Sequence, residues 1–231
     1  MCGRFVRAKM PEVYAKTFDL MGVPSMPSSY NVAPTQPVLA MRMNEAGKEC
    51  AVLRWGLIPF WAKDKKMNFI NARGDTLFEK PAFKAAAKRR RCLILADGYF
   101  EWKTLGPKKK QPFYFRLKGD APFAFAGIWD TWTPPHTQPL SQEGRGELEP
   151  IESCAIITTD ANELSQPIHD RMPVMLRGAA AEAWLDPAVE ELASLAHLLR
   201  PFAADDMTCY AVGPLVGNVK NNSPECIEPL V

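Results

Sequence analysis

The order of apolar and polar residues predicts short strands and helices separated by many turns. Val38–Met43 and Cys50–Trp55 are apolar runs on either side of the turn sequence at residues 44–47, and together they predict a hairpin. After residue 91 the pattern is mainly that of strands, because apolar or alternating runs are divided by glycine- and proline-containing turns. Further strands are predicted at Cys92–Leu95, Tyr99–Lys103, Pro112–Leu117, Phe123–Ile128, Cys154–Thr158 and Met207–Val212.

The same pattern predicts helices at Pro11–Leu20, Pro81–Arg90, Ala179–Leu185 and Val189–Leu199. Proline opens the first two, as is typical of a first helical turn. Because strands do not alternate regularly with helices, we predict an α+β fold with a curved, mainly antiparallel sheet, and not a Rossmann fold or a TIM barrel. The sequence has no glycine-rich phosphate loop, so we expect no nucleotide cofactor.

The length and composition are those of a globular protein. With 231 residues, 47% hydrophobic and 23% charged, the chain can form one domain over residues 1–231 with a core of its own. Residues 133–150 are rich in Pro, Gly, Gln and Glu, which predicts a variable surface loop. No apolar run reaches the roughly 18 residues of a membrane span, and no signal peptide opens the chain. We therefore expect a monomer in the cytoplasm, or in the nucleus of a eukaryote, with no membrane partner.

Charge is divided unevenly along the chain. Residues 1–120 contain 23 Lys and Arg against 10 Asp and Glu, whereas residues 121–231 contain 5 against 16. One interpretation is a face for a polyanion, built mainly from the first half. The other is a fold in which the two halves neutralise each other, and charge alone does not decide between them.

The cysteines do not form a metal-binding pattern. The six are far apart, no CxxC pair exists, and the chain has only three histidines, so we expect no metal site and no other cofactor. Cys2 is different because removal of Met1 would expose an α-amine and a thiol on one residue. Both groups are partly deprotonated near neutral pH and can act as nucleophiles. A 1,2-aminothiol condenses with an aldehyde to an imine, which the sulfur then closes to a five-membered thiazolidine.

Other polar residues lie in settings that suit chemistry. Glu101 stands between aromatic residues after a turn, and such packing raises the pKa of a carboxyl group toward neutrality. His169 has a neighbour of each charge and titrates near physiological pH. Asn71 can orient a substrate oxygen, and Arg73 can hold a phosphate with two hydrogen bonds. Trp61 lies in an aromatic loop followed by lysines, a combination that suits stacking on unpaired bases. For each residue, an ordinary structural or solvent-exposed role is the alternative.

Seven motifs follow one another from residue 1 to about residue 221: Met1–Phe5, Tyr30–Pro34, Trp55–Pro59, Ile70–Arg73, Asp97–Lys103, Ile168–Pro173 and Val216–Asn221. Together they resemble the motifs of the SRAP family, the abasic-site processing proteins also called SOS response-associated peptidases. Gly74-Asp75-Thr76 departs slightly from the family, which more often has Ala-Glu-Thr there.

This resemblance implies a bifurcated sheet that forms a pseudo-barrel, and a protein that binds single-stranded DNA and links covalently to abasic sites. The catalytic positions of the family fall on Cys2, Asn71, Glu101 and His169. Its phosphate-holding arginines match Arg73 and Arg171, and the expected DNA contacts also include Arg4, Asn31, Pro34 and Trp61.

The working hypothesis is therefore a thiazolidine crosslink between Cys2 and the open aldehyde of an abasic sugar, with a self-cleaving removal of Met1 as a further expected activity. One alternative is an amidohydrolase that uses Cys2 as an N-terminal nucleophile, as class II glutamine amidotransferases do. That alternative requires glutamine-binding and oxyanion motifs that we do not find. The other is a module that binds single-stranded DNA without a covalent bond, in which Cys2 is structural.

Overall fold

The computed structural model describes residues 2–134 and 149–230, so most of the loop predicted at 133–150 lies outside the described residues. The helices are α1 (Pro11–Phe18), α2 (Pro81–Arg89) and α3 (Gly178–Leu185). The strands are β1 (Arg4–Arg7), β2 (Ser29–Val32), β3 (Pro37–Asn44), β4 (Gly47–Trp55), β5 (Asn71–Arg73), β6 (Arg91–Ala96), β7 (Gly98–Gly106), β8 (Lys109–Leu117), β9 (Phe123–Trp132), β10 (Ile151–Asp160), β11 (Arg171–Pro173), β12 (Met175–Leu176) and β13 (Met207–Ala211).

The larger sheet closes on itself. Strands β3, β4, β10, β9 and β6 pair in that order, and β6 pairs with β3 to complete a ring. Only the pairings of β10 with β4 and with β5 are parallel among the described strands. The predicted α+β fold with a mainly antiparallel, curved sheet is therefore confirmed, and the ring corresponds to the pseudo-barrel that the resemblance implied.

Strand β10 divides the larger sheet into two branches. Its first part, through Ile156, lies in the ring between β4 and β9. Its second part pairs with β5 on one side, from Ile156 opposite Asn71, and with β11 on the other, to Asp160 opposite Arg171. Two short segments that carry predicted site residues are thus held by one long strand.

A second sheet has the order β13-β8-β7-β1-β2 and packs against the ring. Aromatic rings fill the space between the two sheets: Phe5 of β1 contacts Trp55 and Phe125 edge to face, with centroids 5.2 and 5.6 Å apart. Tyr99 of β7 lies 6.2 Å from Phe125. The ring strands also bury side chains on their other face, where the three helices pack. Apolar residues on both faces explain why β6 reads as a continuous apolar run.

The helix predicted at Val189–Leu199 is wrong, because the structure has a shorter 3-10 segment at Leu192–Leu198. The guanidinium group of buried Arg91 donates hydrogen bonds to the carbonyls of Asp186 and Val189. The Asp186 carbonyl also accepts the backbone N–H of Val189 at 3.3 Å, so a three-residue turn forms here in place of the first turn of an α-helix. Within residues 2–134 and 149–230, no helix is long and apolar enough to cross a membrane.

Candidate active site

The first strand places Cys2 inside the protein. β1 pairs with β2 on one edge and with β7 on the other, so it is held from both sides. Beyond its end, the buried carboxylate of Asp97 accepts hydrogen bonds from the backbone N–H groups of Ala8 (2.6 Å) and Lys9 (3.1 Å). At the other end Cys2 is fully buried, and its thiol lies 3.8 Å from the carbonyl oxygen of Arg4. The position of Cys2 is thus fixed by the sheet.

Asn71 contacts Cys2 directly. It opens β5, and its side-chain Nδ2 donates a 2.9 Å hydrogen bond to the carbonyl oxygen of Cys2. The indole N–H of Trp55 donates to the carbonyl of Ile70 and so holds the preceding residue. The Oδ1 atom of Asn71 is buried and has no hydrogen-bond partner in the part of the chain that the structure describes. A buried acceptor in this state is available to a ligand.

Glu101 lies beside Cys2 on β7, where it is only 3% exposed. Burial, followed by the negative charge of Asp170, raises the pKa of Glu101 from 4.5 to about 7. Burial, followed by the negative charge of Glu101, raises the pKa of the Cys2 thiol well above its ordinary value. The thiol is therefore neutral here, and a carboxyl group that titrates near neutrality is close enough to act on it.

His169 is brought to the same region by a turn that precedes β11. Its backbone N–H donates to the carbonyl of Ser165, whose hydroxyl lies 3.4 Å from the Tyr99 hydroxyl on β7. Nδ1 of His169 accepts a 3.0 Å hydrogen bond from the backbone N–H of Arg171 and also lies 2.8 Å from the Asp170 carboxylate. The Asp170 side chain is 86% exposed and therefore solvated, so the backbone N–H of Arg171 is the main hydrogen-bond partner of Nδ1.

Burial lowers the pKa of His169 below its ordinary value, which favours the neutral ring. With Nδ1 of His169 as an acceptor, the ring proton lies on Nε2, which makes that atom a hydrogen-bond donor.

The two predicted phosphate-holding arginines have acidic partners in this structure. Exposed Arg73 forms a two-pronged ion pair with Asp75, whose shortest distance is 2.5 Å. Buried Arg171 pairs with Asp160 at 2.7 Å, donates to the carbonyl of Thr158, and lies 3.9 Å from Asp75. Asp75, which was not among the predicted site residues, thus contacts both arginines.

The remaining predicted DNA contacts lie in different environments. Half-buried Arg4 donates to the carbonyl of Gly3 at 3.0 Å, and half-buried Pro34 lies in the turn between β2 and β3. Asn31 is buried, and its amide nitrogen lies 2.9–3.2 Å from three carbonyl oxygens of the C-terminal segment. Asn31 therefore holds that segment in place, and its role in binding DNA stays a prediction. Those carbonyls belong to Val216, Asn218 and Asn221.

Trp61 lies on an exposed loop that is hydrogen-bonded to β9 on both sides of this residue. The loop is held at Phe60, whose backbone N–H donates to Asp130, and at Ala62, whose carbonyl accepts from the Trp132 indole. Even so, the Phe60 and Trp61 side chains are 57% and 45% exposed. A cleft of about 270 Å³ lies here, lined by Trp61, Lys63, Asp64 and Met67. An exposed aromatic ring on a fixed loop among lysines suits stacking on a base.

The structure thus brings Cys2, Asn71 and Glu101 together, with His169 close to them. No group of three His, Cys, Asp or Glu side chains among residues 2–134 and 149–230 is arranged to hold a metal ion. All six cysteines are free.

Comparison with known proteins gives consistent matches over nearly the whole chain. A family model described as SOS response associated peptidase (SRAP) matches residues 1–219. The chain is 42% identical, over 233 residues and 99% of each chain, to the abasic site processing protein YoqW of Bacillus subtilis (strain 168). It is 36% identical to the abasic site processing protein HMCES of Gallus gallus, covering 87% of this chain and 66% of that protein.

A solved structure has the same fold. The crystal structure of a protein from Bacteroides thetaiotaomicron has a TM-score of 0.77 and 30% identity, covering 97% of this chain and 92% of that one.

Proposed function

The chain belongs to the SRAP family, and from this membership and the surroundings of Cys2 we propose that it binds single-stranded DNA and crosslinks to abasic sites. The relatives named above, both called abasic site processing proteins, support the substrate. The observation that carries the proposal is the contact of Asn71 with Cys2, next to a buried Glu101 whose pKa is about 7. This arrangement suits a nucleophile on Cys2 and a proton-transfer group at neutral pH.

The crosslink forms in two steps once Met1 has been removed and the nitrogen of Cys2 is an amine. The amine attacks the C1′ aldehyde of the ring-opened sugar, and loss of one water gives an imine. The Cys2 sulfur then adds to the same carbon, and the thiol proton passes to the imine nitrogen. The product is a thiazolidine, and the net change is the loss of one water. Ring closure removes the imine, which would otherwise hydrolyse or lead to strand cleavage by β-elimination.

Glu101 transfers the protons in both steps. Because its pKa is about 7, Glu101 has both its protonated and its ionised form available near neutral pH, so it can protonate the departing hydroxyl group and accept a proton from the amine. The raised pKa of the Cys2 thiol means that the sulfur needs a base when it attacks, and the neighbouring carboxylate provides one.

The other residues orient the sugar and the strand. Nε2–H of His169 donates to the sugar oxygen, and Oδ1 of Asn71 accepts from the reacting nitrogen or from the sugar. Arg73 and Arg171 hold phosphates, an interaction that positions DNA without reading its sequence.

The DNA path continues on both sides of Cys2. Arg4, two residues after Cys2, and Pro34, just after the β2 strand that pairs with β1, are placed on this path, and Trp61 stacks on a base. Asn31 contributes by holding the C-terminal segment. Removal of Met1 is either a reaction of the site itself, which fits the peptidase name of the family, or the work of a cellular aminopeptidase.

Mass spectrometry of the intact protein, after incubation with an oligonucleotide containing one abasic site, tests the proposal. The expected mass is that of the chain without Met1 plus the oligonucleotide minus one water. Cys2→Ala and Cys2→Ser should form no heat-stable adduct, because each keeps the amine that makes the imine but lacks the sulfur that closes the ring; any adduct that they form should reverse on heating. Cys50→Ala is the matched control, since Cys50 is a half-buried thiol on β4, and it should react as the wild type does.

A heat-stable adduct of Cys2→Ala would contradict the mechanism. Binding of DNA by the wild type with no adduct would favour the non-covalent module, and release of ammonia from glutamine would favour the amidohydrolase.

A further inference from the structure

We propose that the hairpin of β7 and β8 binds the phosphate backbone of the DNA strand where it leaves the active site. Four lysines near its tip, which we call the lysine hairpin, are Lys103, Lys108, Lys109 and Lys110. The inference rests on the proposed function and adds a contact surface at a distance from the reacting sugar.

The geometry of β7 connects the site to the hairpin tip. Glu101 and Lys103 are two residues apart on one strand and therefore lie on the same face. β7 continues from Glu101 to Gly106, a distance of about 17 Å at about 3.3 Å per residue. At about 3.4 Å per nucleotide, the spacing of a stacked strand, this corresponds to about five nucleotides. A strand that passes Glu101 along this direction reaches Lys103 and then the tip of the hairpin, where Lys109 is paired with Gly106.

The hairpin keeps a defined shape to its tip. β7 and β8 pair from Gly98 opposite Arg116 to Gly106 opposite Lys109, and β8 is also paired with β13. Its lysines are therefore carried on a supported ribbon, so that little ordering is required when a ligand binds.

The charges of the lysine hairpin are not neutralised within the described residues. Lys108, Lys109 and Lys110 are exposed, Lys103 is half-buried, and none of them forms an ion pair in residues 2–134 or 149–230. By contrast, Lys9 and Lys48 have acidic partners.

The charge of the hairpin also reaches the active site. Burial lowers the pKa of His169, and the positive charge of Lys110 lowers it further. Asp170 beside His169 has a larger and opposite effect, so the contribution of Lys110 indicates only that this lysine lies near the site.

The composition of the tip indicates what it binds. Residues 103–110 contain four lysines and no aromatic or acidic residue, and their one large apolar side chain, Leu105, is 51% exposed. Without an aromatic ring the tip has no platform for a base, whereas lysine is a point charge that suits a phosphate. The ligand is therefore the backbone of the strand, whatever its sequence.

The test measures non-covalent binding of two fluorescent oligonucleotides with a reduced abasic sugar, which lacks the aldehyde. In one oligonucleotide the sugar lies near the 5′ end, and in the other it lies near the 3′ end. Each has about ten thymidines on the longer side of the sugar, which is roughly twice the distance of about five nucleotides from Glu101 to the hairpin tip. The four lysines of the hairpin are changed to glutamine together. The variant should bind one of the two strands more weakly than the wild type does. For that strand, the slope of the logarithm of the binding constant against the logarithm of salt concentration should be smaller by about 0.7 for each phosphate contact that is lost.

A variant with the same change in charge on α2 provides the control. Lys80, Lys84, Lys88 and Arg89 are all exposed, and changing these four to glutamine should leave the slope unchanged. The proposal is overturned if the hairpin variant keeps the wild-type affinity for both strands, or if the α2 variant is weakened by as much. Failure of the proposed function has a different result, since the wild type would then form no adduct with the aldehyde strand.

Discussion

The buried carboxyl group of Glu101 should make the stability of the protein depend on pH. Its pKa is about 7 in the folded chain and 4.5 without burial. Because the folded state favours the protonated form, the free energy of unfolding should fall as pH rises from about 4.5 through about 7. At 1.36 kcal/mol per pKa unit, this difference corresponds to about 3 kcal/mol between acidic and weakly alkaline solution.

Glu101→Gln removes this titration while keeping the shape of the side chain. Urea denaturation at about pH 5 and about pH 8 gives the free energy of unfolding for each form. The wild type should lose about 2.5 kcal/mol more than the variant between these two conditions, because part of the change already lies below pH 5. Glu45→Gln, at an exposed turn position between β3 and β4, is the matched control and should behave as the wild type does.

The same titration should appear in the reaction. The rate of adduct formation by the wild type should change around pH 7, whereas Glu101→Gln should be slower by roughly 10²–10⁴ and should keep only the pH dependence that comes from deprotonation of the Cys2 amine. If the wild type and Glu101→Gln show the same change in unfolding free energy, Glu101 titrates as an ordinary carboxyl group. Burial would then not raise its pKa, and the assignment of Glu101 as the proton-transfer group would be refuted.

Further predictions concern His169 and the residues that are proposed to contact DNA. Arg73→Glu should weaken binding of single-stranded DNA for every sequence, and unchanged binding would exclude a phosphate contact there. Asp75→Asn should raise the affinity for undamaged single-stranded DNA a few-fold, because it frees Arg73 from its ion pair; a lower affinity would show that Asp75 supports binding. Trp61→Ala should reduce the preference for single-stranded over duplex DNA in a competition assay, and an unaltered preference would argue against stacking. His169→Ala should affect release of the intact protein, measured with excess abasic competitor, at least as much as adduct formation; if neither rate changes, His169 is structural.

The longer elements could be predicted from the sequence because their patterns repeat several times. β3 and β4 follow two apolar runs around a turn, and α2 begins at Pro81 as predicted. The prediction of a helix at residues 189–199 failed although the sequence has a helical pattern there. Arg91, nearly a hundred residues earlier in the chain, donates hydrogen bonds to the carbonyls of Asp186 and Val189 where that helix would begin. A contact over that distance leaves no local signal.

Several strands that hold the candidate site are too short for their sequences to show the alternation of apolar and polar residues that is typical of a strand. β1, β2, β5 and β11 have three or four residues each, and they exist because β7 and β10 offer pairing partners. The aromatic neighbours of Glu101 predicted a raised pKa, and the structure buries this side chain, which shifts its pKa in the same direction. The proximity of Asn71 to Cys2 came only from the family resemblance, since 69 positions separate them. The acidic partners of Arg73 and Arg171 could not be anticipated.

The division of the site between two sheets has a consequence for substitutions far from it. Cys2 and Glu101 belong to the sheet that contains β1 and β7, whereas Asn71 and Arg171 are attached to β10 of the ring. The distance between the two pairs is therefore set by the thickness of the aromatic layer between the sheets. A smaller side chain at Phe125, which touches no reacting group, would let the sheets approach each other. The core layer is thus expected to set the width of the candidate site, and a substitution there should alter the proposed reaction without changing any residue of the site.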